Sequence, residues 1–245
     1  MYKSGYIVDP SSTVSCYDQH AALYDRYQQT VVPHYQTALD MVALTYGRYV
    51  RPGGRVLDLG CGTGNASAAL LRADPNARIF LLDGSAEMVE IASGKISALA
   101  PHSLAGKAVA DLGIPGWDRG LEPGYDAIIS SLVLEHLPFS THRDVIGGCR
   151  RLLRPGGWLI AMEGYREDDS DMLEWFFAQM EERRRGLDPQ LSDFVAELRE
   201  KKEVHHYSSK RQKEEWWRKA GLEGVAVLWQ YLCLALMAGR RPEER

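Results

Sequence analysis

The stretch Val56-Leu57-Asp58-Leu59-Gly60-Cys61-Gly62-Thr63-Gly64 constrains this chain more than any other. A short apolar run ends in an acid, three glycines then alternate with small residues, and Asn65 to Leu71 reads as a helix. That order is strand, tight turn, helix start. Glycine takes positive φ and admits a ligand with no Cβ in the way. The unpaired N–H groups of a helix start point toward that ligand. The pattern is that of a nucleotide-type site in an α/β domain, with the nucleotide left open. In the dinucleotide fingerprint the third glycine falls three places after the second. Here Gly64 falls two places after Gly62, and Asn65 holds the fingerprint's last place. No Lys-Ser or Lys-Thr follows, which excludes a P-loop.

A ligand without a pyrophosphate suits the loop better. Asp58 at the strand end can accept from an ammonium group, directly or through water. Ile79 to Leu82 is a second apolar strand ending at Asp83, nineteen residues past Gly64. A carboxylate there can accept both hydroxyls of a ribose. An ammonium-bearing tail plus a ribose outlines S-adenosylmethionine (SAM).

At this point the chain resembles the class I, seven-stranded SAM-dependent methyltransferases. Five blocks stand in that family's order: Val56–Gly64, Leu81–Asp83, Ala110–Leu112, Tyr125–Leu137 and Leu152–Ile160. They cover roughly residues 50 to 165. The resemblance implies an α/β fold with a doubly wound, mostly parallel seven-stranded sheet, an antiparallel last strand and helical lid segments. It implies SAM as cofactor and S-adenosylhomocysteine (SAH) as product. It places Gly60, Cys61, Gly62, Gly64, Asp83, Gly84, Met88 and Ser131 around the cofactor. It also sets Asp111 against the adenine amine, with the backbone of Leu112 on a ring nitrogen.

At 245 residues, one domain is expected over 1–245. Within it, 1–50 reads as a helical cap, 51–164 as the cofactor core, 165–215 as a helical lid insertion, and 216–245 as a last helix with a closing strand pair. A net charge of −4 argues against a nucleic-acid partner, which would need a basic face. Cys16, Cys61, Cys149 and Cys233 are scattered with no C-x-x-C pair, which suits a reducing compartment and no metal site. The longest apolar run, Val225 to Ala238, is too short to span a bilayer. A cytoplasmic enzyme with a small-molecule substrate is expected, monomeric or homodimeric, with no membrane or nucleic acid as partner.

The cap carries Tyr-Asp-x-x-Ala-x-x-Tyr-Asp from Tyr17, so Tyr17, Ala21 and Tyr24 share a helical face. That face either packs on the sheet or forms a lid whose aromatics meet a sulfonium cation. Pro33 breaks the helix, so Tyr35 opens a new segment that can turn inward. Ser85 is expected to cap a helix over Ala86 to Ala98. Glu135 and His136 follow strand four and read either as bases or as a plain helix start. Glu163 ends strand five at the same sheet edge as Asp58, Asp83 and Asp111. Ligands of open parallel sheets collect at that edge, which makes Glu163 the stronger candidate acid or base.

The insertion reads as helices over Asp171 to Arg185 and Ser192 to Glu203, with Trp175, Phe176 and Phe177 facing the core. Arg199 is its candidate substrate contact. The last helix is expected over Glu214 to Ala220. Strands over Val225 to Trp229 and Cys233 to Gly239 follow, with the substrate candidates Trp229 and Tyr231 at the reversal.

The family reaction is in-line displacement, in which a nucleophile attacks the sulfonium methyl. The protein's contribution is positioning and exclusion of water. One subfamily, the carboxy-SAM synthases, echoes the chain further through Val32-Pro33-x-Tyr35, the Asp83 and Asp111 pair, and Leu228-Trp229-Gln230 followed by Leu234-Ala235-Leu236. In that subfamily a tyrosine matching Tyr35 contacts the cofactor, and an arginine close to Arg199 holds an extra carboxylate. The subfamily has Ser at the place of Gly62 and Asn at the place of Ser131, so ordinary methyl transfer is the expectation. A prephenate-using synthase and a non-catalytic SAM-binding protein are the alternatives.

Overall fold

The computed structural model describes residues 23–167, 169–200 and 206–244, with the side chains of 197–200 excepted. Tyr17 and the Arg199 side chain therefore lie outside the described residues. The strands are β1 (Arg55–Leu59), β2 (Arg78–Asp83), β3 (Leu104–Val109), β4 (Tyr125–Ser131), β5 (Leu153–Gly164), β6 (Glu223–Tyr231) and β7 (Leu234–Arg240). They form one seven-stranded sheet in the order β3-β2-β1-β4-β5-β7-β6. β1 lies parallel to both β2 and β4, and β7 runs antiparallel to β5 and β6. The chain reverses its winding between β1 and β4, so the crevice beyond those two strand ends is where a ligand is expected.

Strand residues alternate between two apolar layers, as a period of two requires. Val56, Ile79, Leu81, Ala127, Ile129, Ile160 and Met162 face one layer, with the helices Tyr35–Tyr49, Asn65–Ala73 and Ala86–Leu99. Leu57, Leu59, Leu82, Ile128, Leu159 and Ala161 face the other, with the helices Phe139–Leu152 and Lys210–Lys219. Each fully buried aliphatic side chain contributes about 1.5–3 kcal/mol. A third cluster joins Tyr27 and Val31 to Leu191, Phe194 and Val195. There the Tyr27 and Phe194 rings meet edge to face at 5.6 Å. The helical stretch 23–31 and the insertion thus pack on each other as well as near the sheet edge.

Several boundaries differ from the sequence expectation for local reasons. The last helix begins at Lys210 because Ser209 and Gln212 close a capping box ahead of it. β6 runs on to Tyr231, so Trp229 and Tyr231 lie within the strand, and the reversal falls at Leu232, whose φ is 49°. The helix after Pro33 starts at Tyr35, behind His34 in the left-handed region. The insertion helices are Ser170–Arg184 and Pro189–Glu200. Phe176 is buried, but Trp175 is 57% exposed and does not face the core.

Candidate active site

The glycine loop is fastened to the end of β2. The N–H groups of Gly60 and Cys61 both donate to the Leu82 carbonyl, at 2.8 and 2.9 Å. The N–H of Gly62 donates to Asp83 Oδ2 at 2.8 Å, and that of Ser85 to Asp83 Oδ1 at 2.9 Å. Asp83 therefore braces the loop while remaining half-buried at the strand tip. Gly60, at φ 68°, has its absent Cβ position only 2.5 Å from the Val133 side chain. Gly62 is different, because a Cβ there would meet only the Tyr24 ring, at 3.8 Å. A ligand can approach the backbone at that point, beside the Tyr24 ring.

Asp58, the penultimate residue of β1, is buried. Ser67 Oγ donates to its Oδ2 at 2.5 Å, while its Oδ1 is buried with no hydrogen-bond partner. Burial pushes its carboxyl up to about 7, against the Ser67 hydrogen bond and with the help of Asp83. An orphaned buried oxygen of this kind fits an ammonium-bearing ligand. Asp111 lies just past β3, where its Oδ1 accepts from Gly113 N at 2.7 Å. Leu112, the next residue, and Met88 are both buried, and Ser85 caps the helix that carries Met88. Gly84 links Asp83 to that cap. Ser131 is half-buried at the last position of β4. The next residue, Leu132, takes φ 57°, a strained conformation for leucine at the turn out of the sheet.

Tyr35 is buried, with its hydroxyl accepting from Asn65 Nδ2 at 3.3 Å. The same Asn65 side chain donates to Asp25 Oδ1 at 2.8 Å, and Thr63 Oγ1 also donates to Asp25. Lys95 Nζ bridges Asp25 Oδ2 at 2.8 Å and Asn65 Oδ1 at 2.7 Å. The helix Asn65–Ala73 has no acid in its first turn and no side-chain cap of its own. Asp25 supplies that anion from the stretch 23–31. Sequence reasoning quoted Asp25 within the Tyr17 motif but gave it no role. Its partners lie 38 and more positions away.

This latch ties the stretch 23–31 to the glycine loop and the two helices that follow it. Asp25→Ala is expected to speed hydrogen exchange across residues 23–31 on the order of tenfold, since a half-buried charged acceptor with three donors is lost. Unchanged exchange in 23–31 would show that the apolar cluster around Tyr27 alone holds it.

The three candidate acids and bases occupy different surroundings. Glu163 is 1% exposed and ion-paired with Lys213, itself fully buried. Glu135 is buried, with Oε1 accepting from Gly164 N at 3.3 Å. His136 ends a short 3₁₀ turn, Leu134–His136, and is only partly buried. Burial pushes Glu163 up to about 7, with Lys213 opposing and Glu135 adding to the shift. On the far side, Tyr231 meets the His34 ring at 4.3 Å, and its hydroxyl donates to Gln179 of the insertion at 2.9 Å. Trp229 packs at the edge of the first apolar layer. Among the described residues no group of three or more His, Cys, Asp or Glu could hold a metal ion, and no helix is long and apolar enough to cross a membrane.

Sheet order, braced glycine loop and strand-end acids together define a Rossmann-like methyltransferase fold. The methyltransferase-domain family profile matches residues 57–159. Among curated relatives, a ubiquinone biosynthesis O-methyltransferase of Xanthomonas campestris is 33% identical over 163 residues, covering 62% of this chain and 64% of that protein. An uncharacterized methyltransferase of Emericella nidulans is 29% identical over 190 residues, covering 66% and 64%. A carboxy-S-adenosyl-L-methionine synthase of Shigella sonnei is 27% identical over 154 residues, covering 61% and 59%. The match thus spans less than two thirds of each relative's own length. Among solved structures, magnesium protoporphyrin IX methyltransferase of Synechocystis with bound SAH superposes with a TM-score of 0.67 at 20% identity, covering 95% of this chain and all of that one. An O-methyltransferase family protein from Burkholderia thailandensis gives 0.67 at 20%, covering 94% and 63%. At that identity the structural likeness speaks for the fold.

Proposed function

We propose that the chain is a SAM-dependent methyltransferase that alkylates a small-molecule acceptor by in-line displacement. The observation that carries this reading is the loop at Gly62. Its N–H is fixed on Asp83, the space over its Cα is open as far as the Tyr24 ring, and the orphaned Asp58 oxygen lies buried near the end of β1, the strand that leads into the loop. Asp83 would hold the ribose, Asp58 the ammonium end, and Asp111 with Leu112 the adenine, with Gly60, Cys61, Gly64, Gly84, Met88, Ser131 and Tyr35 closing the site. When bound, the cofactor supplies a methyl group already activated on a sulfonium.

The chain's own task is then to position the acceptor, exclude water and receive a proton where the acceptor carries one. His136 is the partly exposed member of the three acid–base candidates, which favours it as the one that meets an acceptor. Glu135 and Glu163 act from behind it. Trp229, Tyr231, Tyr17 and Arg199 are assigned to the acceptor side.

Calorimetry with SAH and with NAD tests the cofactor reading. Binding of SAH and no binding of NAD is expected, and the reverse would sink it. Turnover of SAM to SAH in a small-molecule extract then separates an enzyme from a binding protein. Incubation with SAM and prephenate, read by cofactor mass, is expected to show no gain. A gain equal to a carboxylate would make the chain a synthase.

A further inference from the structure

Behind the turn that carries His136, three charged side chains meet out of contact with solvent. Glu135 is 2% exposed, Glu163 1% and Lys213 0%. They come from three elements: the 3₁₀ turn after β4, the end of β5, and the helix Lys210–Lys219. Lys213 pairs with Glu163 Oε2 and sits 4.5 Å over the Tyr165 ring. Gly164 N holds Glu135 Oε1, and His206 N donates to the Glu135 backbone carbonyl at 2.5 Å. The remaining carboxylate oxygens, Glu135 Oε2 and Glu163 Oε1, are both buried without a hydrogen-bond partner.

Two carboxylates and one ammonium leave one negative charge unbalanced in a dry site. A buried charge in that position neutralises rather than persists, and two carboxyls sharing a site do so by keeping a proton. A proton on either one also turns an orphaned acceptor into a donor for its neighbour. His136 attracts Glu135 from the partly exposed side of the turn, and the other groups facing the cluster bring no compensating charge. His142 is held neutral by burial and by Lys213. His206 is pushed down by burial and by His136. Tyr165 is kept protonated by burial and by Glu163, Glu135 and Glu214. Burial likewise raises Glu135, against the attraction of His136 and Lys213.

We propose that Glu135 and Glu163 hold one proton between them beside Lys213, that this proton leaves when a cation enters the crevice at the strand ends, and that it is replaced from the acceptor once the cation's charge is gone. This rests on the SAM reading above. A protonated acceptor loses its hydrogen as its bond to the methyl carbon forms, the sulfur keeps the electron pair of the broken S–C bond, and the proton passes to the Glu135 carboxylate. The unit is then neutral again, ready for the next cation. The partly exposed His136 is close enough to the Glu135 carboxyl to attract it, which gives the proton a short way in.

Two measurements decide this. In the protein without ligand, an infrared difference spectrum at neutral pH between the parent and Glu135→Gln should show the C=O band of a neutral carboxylic acid. The same band should vanish in Glu163→Gln, with melting curves confirming that both variants are folded. Absence of the band would overturn the shared proton.

Calorimetry in two buffers of different ionisation heat then counts protons released on binding. SAM should release more than SAH, because only SAM carries the sulfonium charge, and Glu135→Gln should abolish the excess. Equal release by the two ligands, or an excess that survives in Glu135→Gln, would overturn the coupling. Failure of both ligands to bind would instead overturn the SAM reading and the coupling that rests on it, while the infrared result still decides the shared proton.

Discussion

Replacing Lys213 by methionine is expected to cost about 3–5 kcal/mol of folding stability, because the variant leaves Glu163 buried beside Glu135 with no cation. For a chain of this size that corresponds to a fall in melting temperature of roughly 6–20 °C. The direction with pH follows from Glu163, which burial lifts to about 7. A carboxyl raised in the folded state contributes stability that is full below its unfolded value and is lost as pH climbs through the folded one. Without Lys213 the folded value climbs further, so the gap between parent and variant should be small near about pH 5.5 and wide near about pH 8. Paired replacement, Lys213→Met with Glu163→Leu, should recover most of the loss, since apolar groups of similar volume replace buried ion pairs at little cost. Thermal melts of the three proteins at both pH values provide the check. A variant as stable as the parent at the higher pH would mean that Glu163 is neutral there regardless of Lys213.

That pair also shows where the sequence stops being readable. Apolar strands, the glycine turn and the acids that end them are local patterns, and Asp58 and Asp83 could be read as strand-end acids from them, while the resemblance supplied Asp111 and the common sheet edge. The antiparallel β7 was legible through the resemblance, which supplied a strand order that no single segment specifies. Glu163 was recognised as a strand-end acid, but nothing near it announces Lys213, 50 positions on in a helix of lysines and glutamates that reads as solvated. Its burial is set by tertiary packing against Tyr165. Asp25 was hidden for the same reason. Trp175 failed in the opposite direction: three consecutive aromatics cannot all face inward on a helix, and Phe176 takes the core position.

Asp83→Ala is expected to weaken SAH binding by about 2–3 kcal/mol, or roughly thirty- to a hundredfold, through the loss of the carboxylate proposed to accept two ribose hydroxyls. Asp83 has a second role that must be separated from the first, because its two oxygens already accept from Gly62 N and Ser85 N. Alanine removes the brace and the ligand contact together. Asparagine keeps one acceptor oxygen for the brace but puts an N–H₂ donor where the second acceptor stood, so Asp83→Asn should melt closer to the parent than alanine does while binding nearly as poorly. Calorimetry with SAH on both variants, read beside their melting curves, distinguishes the roles. If Asp83→Ala lowers the melting temperature and leaves the affinity unchanged, Asp83 is a brace for the glycine loop and the ribose is held elsewhere. If asparagine restores both stability and affinity, the carboxylate charge is not what the ligand reads, and a nucleoside held by its two hydroxyls would no longer explain an acid at the tip of β2.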